Sequence, residues 1–325
     1  MPRTLPLLTL LAVLLLPSLR AQQPFLVFEP HGKPKTKNIV LISGDEEYRS
    51  EESLPQLAKI LSERHGFRCT VLFAIDPKDG TIDPNITDNI PGLEALDKAD
   101  LMVLLTRFRN LPDDQMKHIV DYVESGKPIV AMRTATHAFQ LTSSPTYARY
   151  SWNQPDGGFG RAVLGETWVK HHGQHGKQST RGIINPDEAK HPILQGIRPG
   201  ELWSRTDVYE VHLPLPDSRT LVFGQVLSGM DPKDPPAPGP VNDPMMPIAW
   251  VKSYKSARIF ATTLGTSEDL LTEANRRLLV NACYWALGLE KQIDARSNVA
   301  LVGGYHPHPF AFGGYTKGLR PADLR

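Results

Sequence analysis

Three histidines fall within five residues in Lys170-His-His-Gly-Gln-His-Gly176. Imidazoles so close together can share a divalent cation, zinc foremost, or divide acid–base work. His171, His172 and His175 are therefore candidate metal ligands, and His172 is also a candidate catalytic group. The run is glycine-rich and lacks the helical His-x-x-x-His pair that fixes two imidazoles on one face, so sugar hydrogen bonding or a structural role stays open. His137 closes Arg133-Thr-Ala-Thr-His137, a strand-to-helix position where α/β folds present reactive side chains, or else caps the next helix. Asp45-Glu-Glu47 supplies carboxylates: Glu46 or Glu47 as the acid–base partner of a histidine, Asp45 as a ligand-binding acid. The alternative is a solvated helix start with favourable dipole charges. Arg107, Arg109 and Arg133 carry guanidinium forks that suit a polyol, carboxylate or phosphate, or pair with these same acids. Asp207 and Glu210 add polar groups on a short strand, with Asp207 and Tyr209 on one face. Trp168, like Trp152 and Trp203, can stack on a sugar ring or fill the core.

These residues need elements to position them. Residues 38–44 are a continuous apolar run ending in glycine, as expected of a strand buried on both faces. A helix follows over 50–65, with Ser50 as its cap and Leu54, Leu57, Ala58 and Leu61 at helical spacing. Strands at 69–74, 99–106 and 127–133 and a helix at 112–125 continue the alternation, which predicts parallel βαβ units with right-handed crossovers. In such sheets ligands bind beyond the carboxyl ends of the strands. Residues 43–49, 106–109 and 133–138 lie there, and all three stretches are strongly polar. Between 140 and 188 the pattern dissolves into a long Gly- and aromatic-rich insert. Strands at 208–211, 220–225, 247–254 and 257–264 follow, then an amphipathic helix over 267–287 stopped at Gly288.

Composition narrows the function. The 325 residues carry 36 Lys+Arg against 35 Asp+Glu, a balance that argues against a nucleic-acid partner and suits a neutral small molecule such as a sugar. The start, Met-Pro-Arg followed by an apolar run over 5–19, has the form of a secretory signal cleaved after Ala21. Kept uncleaved, it would be a short N-terminal anchor. Its removal takes away Arg3 and Arg20 and leaves 34 basic against 35 acidic residues, with no later segment apolar enough to hold the chain in a bilayer. Export permits a disulfide, yet Cys69 and Cys283 sit in apolar strand and helix patterns and read as free, buried thiols. Neither a Gly-rich phosphate loop nor a Gly-x-Ser-x-Gly elbow is present. Nothing in the sequence excludes a homo-oligomer.

Several stretches together resemble the ThuA-like (trehalose-utilisation) family: Ile42-Ser-Gly-Asp-Glu-Glu-Tyr48, Val130-Ala-Met-Arg-Thr-Ala-Thr-His137, Gly165-x-x-Trp-x-x-His-His172, His191-Pro-Ile-Leu-x-Gly-Ile197, Asp207-x-Tyr-Glu210, and Pro247-Ile-Ala-Trp with Arg258-Ile-Phe-Ala-Thr-Thr-Leu-Gly265. The resemblance implies a flavodoxin-like three-layer α/β/α sandwich, similar to class I glutamine amidotransferases, here with a mostly parallel central sheet and a long loop-rich insert, and a role around carbohydrate metabolism. The amidotransferases place a nucleophilic cysteine at the elbow, and Arg133-Thr-Ala-Thr-His137 has none, so glutamine hydrolysis is excluded. The expected organisation is a signal at 1–21, an extended lead at 22–36, the domain at 37–290, and an aromatic, Gly-rich tail at 291–325 packed on it. The expected function is that of an exported hydrolase, isomerase or lyase acting on a sugar or sugar derivative. His137 and His172 would work with Glu46 or Glu47, and Asp45, Arg107, Arg133, Trp168, Asp207 and Glu210 would hold the ligand. A non-catalytic carbohydrate-binding or scaffolding protein is the alternative.

Overall fold

A computed structural model describes residues 23–325; the signal-like segment lies outside the described residues. Its strands and long helices, in chain order, are β1 (Phe25–Phe28), β2 (Asn38–Gly44), α1 (Ser50–Lys59), β3 (Arg68–Leu72), β4 (Leu101–Thr106), α2 (Asp113–Glu124), β5 (Ile129–Met132), β6 (Lys170–His172), β7 (Thr180–Ile184), β8 (Trp203–Ser204), β9 (Val208–Glu210), β10 (Ser218–Val226), β11 (Met246–Tyr254), β12 (Ala257–Thr262) and α3 (Glu273–Ala286). Ten of the strands form one sheet in the order β1-β3-β2-β4-β5-β12-β11-β10-β7-β8.

The middle five strands, β3 to β12, run parallel. Both flanks are antiparallel, so the sheet is mixed rather than parallel throughout. Alternation along β2 explains why its apolar run is unbroken. Ile39 and Leu41 pack with Leu54, Leu57 and Leu61 of the first helical segment and with Leu278 and Ala282 of α3. Val40 and Ile42 pack with Met116, Ile119 and Val123 of α2. Helices thus cover both faces of the parallel core, and a strand between them must be apolar on both sides. Cys69 and Cys283 are free and buried in that core.

The extended lead contains an edge strand, β1, paired with β3. Three expectations need correcting. The 140–188 insert contributes β7 to the main sheet and β6 to a separate two-stranded ribbon with β9. The closing helix is broken: Thr272 is extended, so a 3₁₀ turn (Ser267–Leu271) precedes α3. There Asp269 Oδ2 accepts the N–H groups of Gly265 (2.7 Å) and Thr266 (3.2 Å), which caps the amino end of that turn. Lastly, Ser50 does not cap α1. Arg49 occupies the cap position at φ 60°, while the Ser50 hydroxyl meets Ser43 Oγ at 2.8 Å and accepts the Asp45 N–H at 3.0 Å.

Candidate functional site

The loops leaving β2, β4 and β5 converge at the carboxyl ends of the parallel strands. Asp45 is buried there and stitches two of them together. Its Oδ1 accepts the N–H groups of Glu47 and Tyr48, both at 2.7 Å, and its Oδ2 accepts the Thr134 hydroxyl. Both Asp45 oxygens are thus engaged within the protein, and Asp45 shapes the site. Glu46 is gripped by Arg107 and by Arg109 Nη2, the latter at 2.7 Å. The ion-pair alternative therefore holds for both arginines, and Glu46 is not a free base. Burial, with Asp45 nearby, pushes its carboxyl upward despite these partners.

Arg133 begins the turn after β5 at φ 41°, a strained elbow. Its guanidinium is fully buried between the rings of Tyr48 (4.4 Å) and Tyr209 (4.0 Å). It donates to the Asp207 carbonyl (2.9 Å), Asp207 Oδ1 (2.9 Å), the Thr263 carbonyl (2.8 Å) and the Tyr48 hydroxyl (3.1 Å). Arg133 thus orients Asp207 rather than a ligand.

Asp207 is the hub. Its Oδ2 accepts from His171 Nδ1 at 2.6 Å and its Oδ1 from His175 Nδ1 at 3.1 Å. The far nitrogen of His175 faces Glu47 Oε1 at 3.2 Å, so this imidazole spans two carboxylates. Burial alone would raise the Asp207 carboxyl, but hydrogen bonds from the two imidazoles and the charge of Arg133 hold it well below the usual carboxylate range. The hydrogen bonds to Asp207 and then Glu47 push His175 up to about 9. The donor atoms of His171, His175 and Asp207 lie within 4.8 Å of one another, a set able to hold a metal ion. His171 is 41% exposed and His175 33%, so the hub meets solvent.

The β6–β9 ribbon decides which histidines take part. Successive strand residues face opposite sides. Opposite Tyr209 stands His171, while His172 pairs with Val208 and Lys170 with Glu210 on the other face. His172 accordingly points away and donates Nε2–H to the Val241 carbonyl at 2.5 Å. Glu210 shares that outer face, 3.4 Å from Lys170 Nζ and 3.7 Å from His172 Nδ1. His172 is thus neither a metal ligand nor a catalytic group of the hub, and Glu210 does not line it. His137 is also displaced from its expected role. It is buried among Phe108, Trp168 and Tyr209, and its Nδ1 meets Thr136 Oγ1 at 3.2 Å. Burial, and then Arg107, Arg133 and His171, lower its pKa well below the usual imidazole value, and among the described residues this core ring has no carboxylate partner. Trp168 stands between this cluster and the hub, 5.0 Å from His137 and 5.9 Å edge-on to His171.

A family model described as trehalose utilisation, ThuA, matches residues 38–286, from β2 to the end of α3. The chain belongs to the ThuA family. Among solved structures, a ThuA-like protein of Parabacteroides merdae is similar at 18% identity, over 78% of this chain and 90% of its own, with a TM-score of 0.49. A ThuA-like protein of Bacteroides uniformis is similar at 15%, over 79% and 93%, with a TM-score of 0.48. A cytoplasmic protein of Salmonella typhimurium is similar at 11%, over 76% and 98%, with a TM-score of 0.46. No curated protein matches the chain.

The ThuA match stops before the tail, which nonetheless reaches the hub. The Ala311 N–H donates to the Glu47 carbonyl at 3.0 Å, and Arg49 donates to the carbonyls of Pro309 (3.3 Å) and Ala311 (2.5 Å). Phe310 stacks on Tyr48 (5.5 Å) and tilts over His175 (5.3 Å), while Phe312 lies 5.0 Å from the Arg107 guanidinium. The sequence marked this stretch as aromatic, but no spacing rule connects it to Glu47. Tyr48 was equally hidden, as one ring in a polar loop. A cleft of about 770 Å³ bounded by Lys33, Lys35, Arg64, His65 and Tyr284 lies near the amino ends of β2 and β3, away from this chemistry. The hub is the candidate site, because in parallel sheets the carboxyl ends are where loops converge.

Proposed function

We propose that this ThuA-family protein is an exported enzyme acting on a sugar or sugar derivative at the His171–Asp207–His175 hub. The observation that carries the reading is a buried carboxylate holding two partly exposed imidazoles at the carboxyl ends of the parallel strands. Such a carboxylate fixes ring orientation and tautomer, which proton transfer to or from a hydroxyl or carbonyl oxygen requires. Trp168 and Phe310 beside the imidazoles offer apolar ring faces of the kind that pack on the C–H face of a sugar. The name of the family and the near-neutral charge favour a carbohydrate over a nucleotide or a charged polymer. In this reading the helix-covered sheet is the flavodoxin-like three-layer arrangement, residues 140–188 are an insert that delivers His171 and His175, and residues 1–21 direct export.

The test is incubation of purified protein with a panel of disaccharides and their keto derivatives, followed by mass spectrometry. Turnover by the wild type, lost in His171→Ala and kept in His172→Ala, is expected. Ligand binding that His171→Ala abolishes, with no mass change for any sugar, would replace the enzyme reading with a binding module.

A further inference from the structure

We infer that the hub is a binding site for one divalent first-row transition-metal ion, with His171, His175 and Asp207 as its protein ligands. The inference deepens the proposed function, since it takes the hub as the reacting centre.

Donor chemistry comes first. Two imidazole nitrogens and one carboxylate oxygen are a borderline-soft set that suits zinc or iron(II) and is poor for magnesium or calcium, which take oxygen ligands. Geometry agrees. His171 Nδ1 is 2.6 Å and His175 Nδ1 3.1 Å from the two oxygens of Asp207, and all three donors lie within 4.8 Å. Ligands about 2.0–2.1 Å from a tetrahedral zinc stand about 3.3 Å apart, so small side-chain rotations suffice.

The surroundings are what a metal's ligands need. A ligating imidazole usually gives its other nitrogen to a carboxylate, and a ligating carboxylate is itself hydrogen-bonded. Glu47 Oε1 stands 3.2 Å from His175 Nε2, and Arg133 Nη2 donates to Asp207 Oδ1 at 2.9 Å. Glu47 is held in turn, its N–H on Asp45 and its carbonyl on Ala311. Pairing of β6 with β9 sets His171 opposite Tyr209, and the rings of Trp168 and Tyr209 flank it at 5.9 and 6.1 Å. The exposed side of His171 leaves a coordination position open to water or an oxygen of the ligand. Charge also balances. Asp207, Glu47 and Arg133 together carry one negative charge; a dication makes the cluster singly positive, and a bound hydroxide or anionic group cancels it. Such an ion would supply Lewis-acid activation of the oxygen at the open position.

The experiment is direct. The full chain is stripped with a chelator, dialysed and titrated with zinc chloride by calorimetry, and the cobalt(II) form is examined by visible absorption. One equivalent of zinc is expected, with a tetrahedral cobalt spectrum. Elemental analysis of the unstripped protein distinguishes zinc from iron. His171→Ala, at a partly exposed position that tolerates truncation, abolishes binding; Glu47→Gln weakens it about 10–100-fold. His172→Ala leaves it unchanged, because that ring faces the Val241 carbonyl. No stoichiometric binding, or binding indifferent to His171→Ala, overturns the inference. Zinc binding without sugar turnover would keep the metal site and remove the sugar reading. Sugar turnover together with no stoichiometric zinc binding would do the reverse.

Discussion

Glu51 lies in the first turn of α1, 3% exposed, and neither of its carboxylate oxygens has a hydrogen-bond partner among the described residues. Its nearest cation is Arg49, whose Nη1 is 4.0 Å away and whose remaining nitrogens clamp the tail at Pro309 and Ala311. Burial, only partly offset by the backbone and Arg49, pushes the Glu51 carboxyl from 4.5 up to about 8. Because the folded value lies above the unfolded one, the sign is fixed. Stability is fully present below pH 4.5, declines as pH rises, and stops declining beyond about 8. The slope is about 1.4 kcal/mol per pH unit, so the loss across that window is about 3–5 kcal/mol. Glu51→Gln keeps the shape and removes the titration. Urea unfolding of both proteins at pH 5, 6, 7 and 8 should show the glutamine variant gaining on the wild type at each step. Any constant cost of the amide cancels in that comparison. A stability difference independent of pH would refute the reasoning and mean that Arg49 holds Glu51 ionised throughout.

Arg109 is fully buried, with donors on Glu46, Arg107, Pro84 and Ile86, so Arg109→Met should cost about 3–5 kcal/mol by leaving the Glu46 carboxylate to Arg107 alone and three carbonyls without their donor. Adding Glu46→Gln should recover part of that loss in thermal unfolding; no recovery would mean that the carbonyl contacts dominate. Phe310→Ala should uncover His175 and raise its rate of acylation by diethyl pyrocarbonate several-fold in chelator-stripped protein, whereas Phe310→Tyr should not. Equal rates in all three proteins would show that the tail does not shield the hub.

Much of the framework was legible because it is local. The unbroken apolar run of β2, the helical spacing of Leu54, Leu57 and Leu61, and the glycine stop at Gly288 each follow from neighbouring residues in the chain. The same alternation located the carboxyl-end loops and with them Glu46, Glu47, Arg107 and Arg133. Charge balance and the two free, buried thiols were equally readable.

What the side chains at those loops do was settled by tertiary contacts. Asp45 and Glu46 looked like available acids, but Thr134, Arg107 and Arg109 come from other strands to engage them. His172 and His175 are indistinguishable as letters; the pairing of β6 with β9 turned one outward, and Asp207, 32 residues from His175, gathered the other. His137 stands where a reactive residue was expected, and three rings from distant segments closed around it instead. Phe310 reached the hub on a tail that Arg49 and the Glu47 carbonyl hold from some 260 residues away. Periodicity fixes which residues are buried, since burial depends on local spacing. Ionisation, ligation and exposure depend on which distant groups arrive within a few ångströms, and only the folded chain decides that.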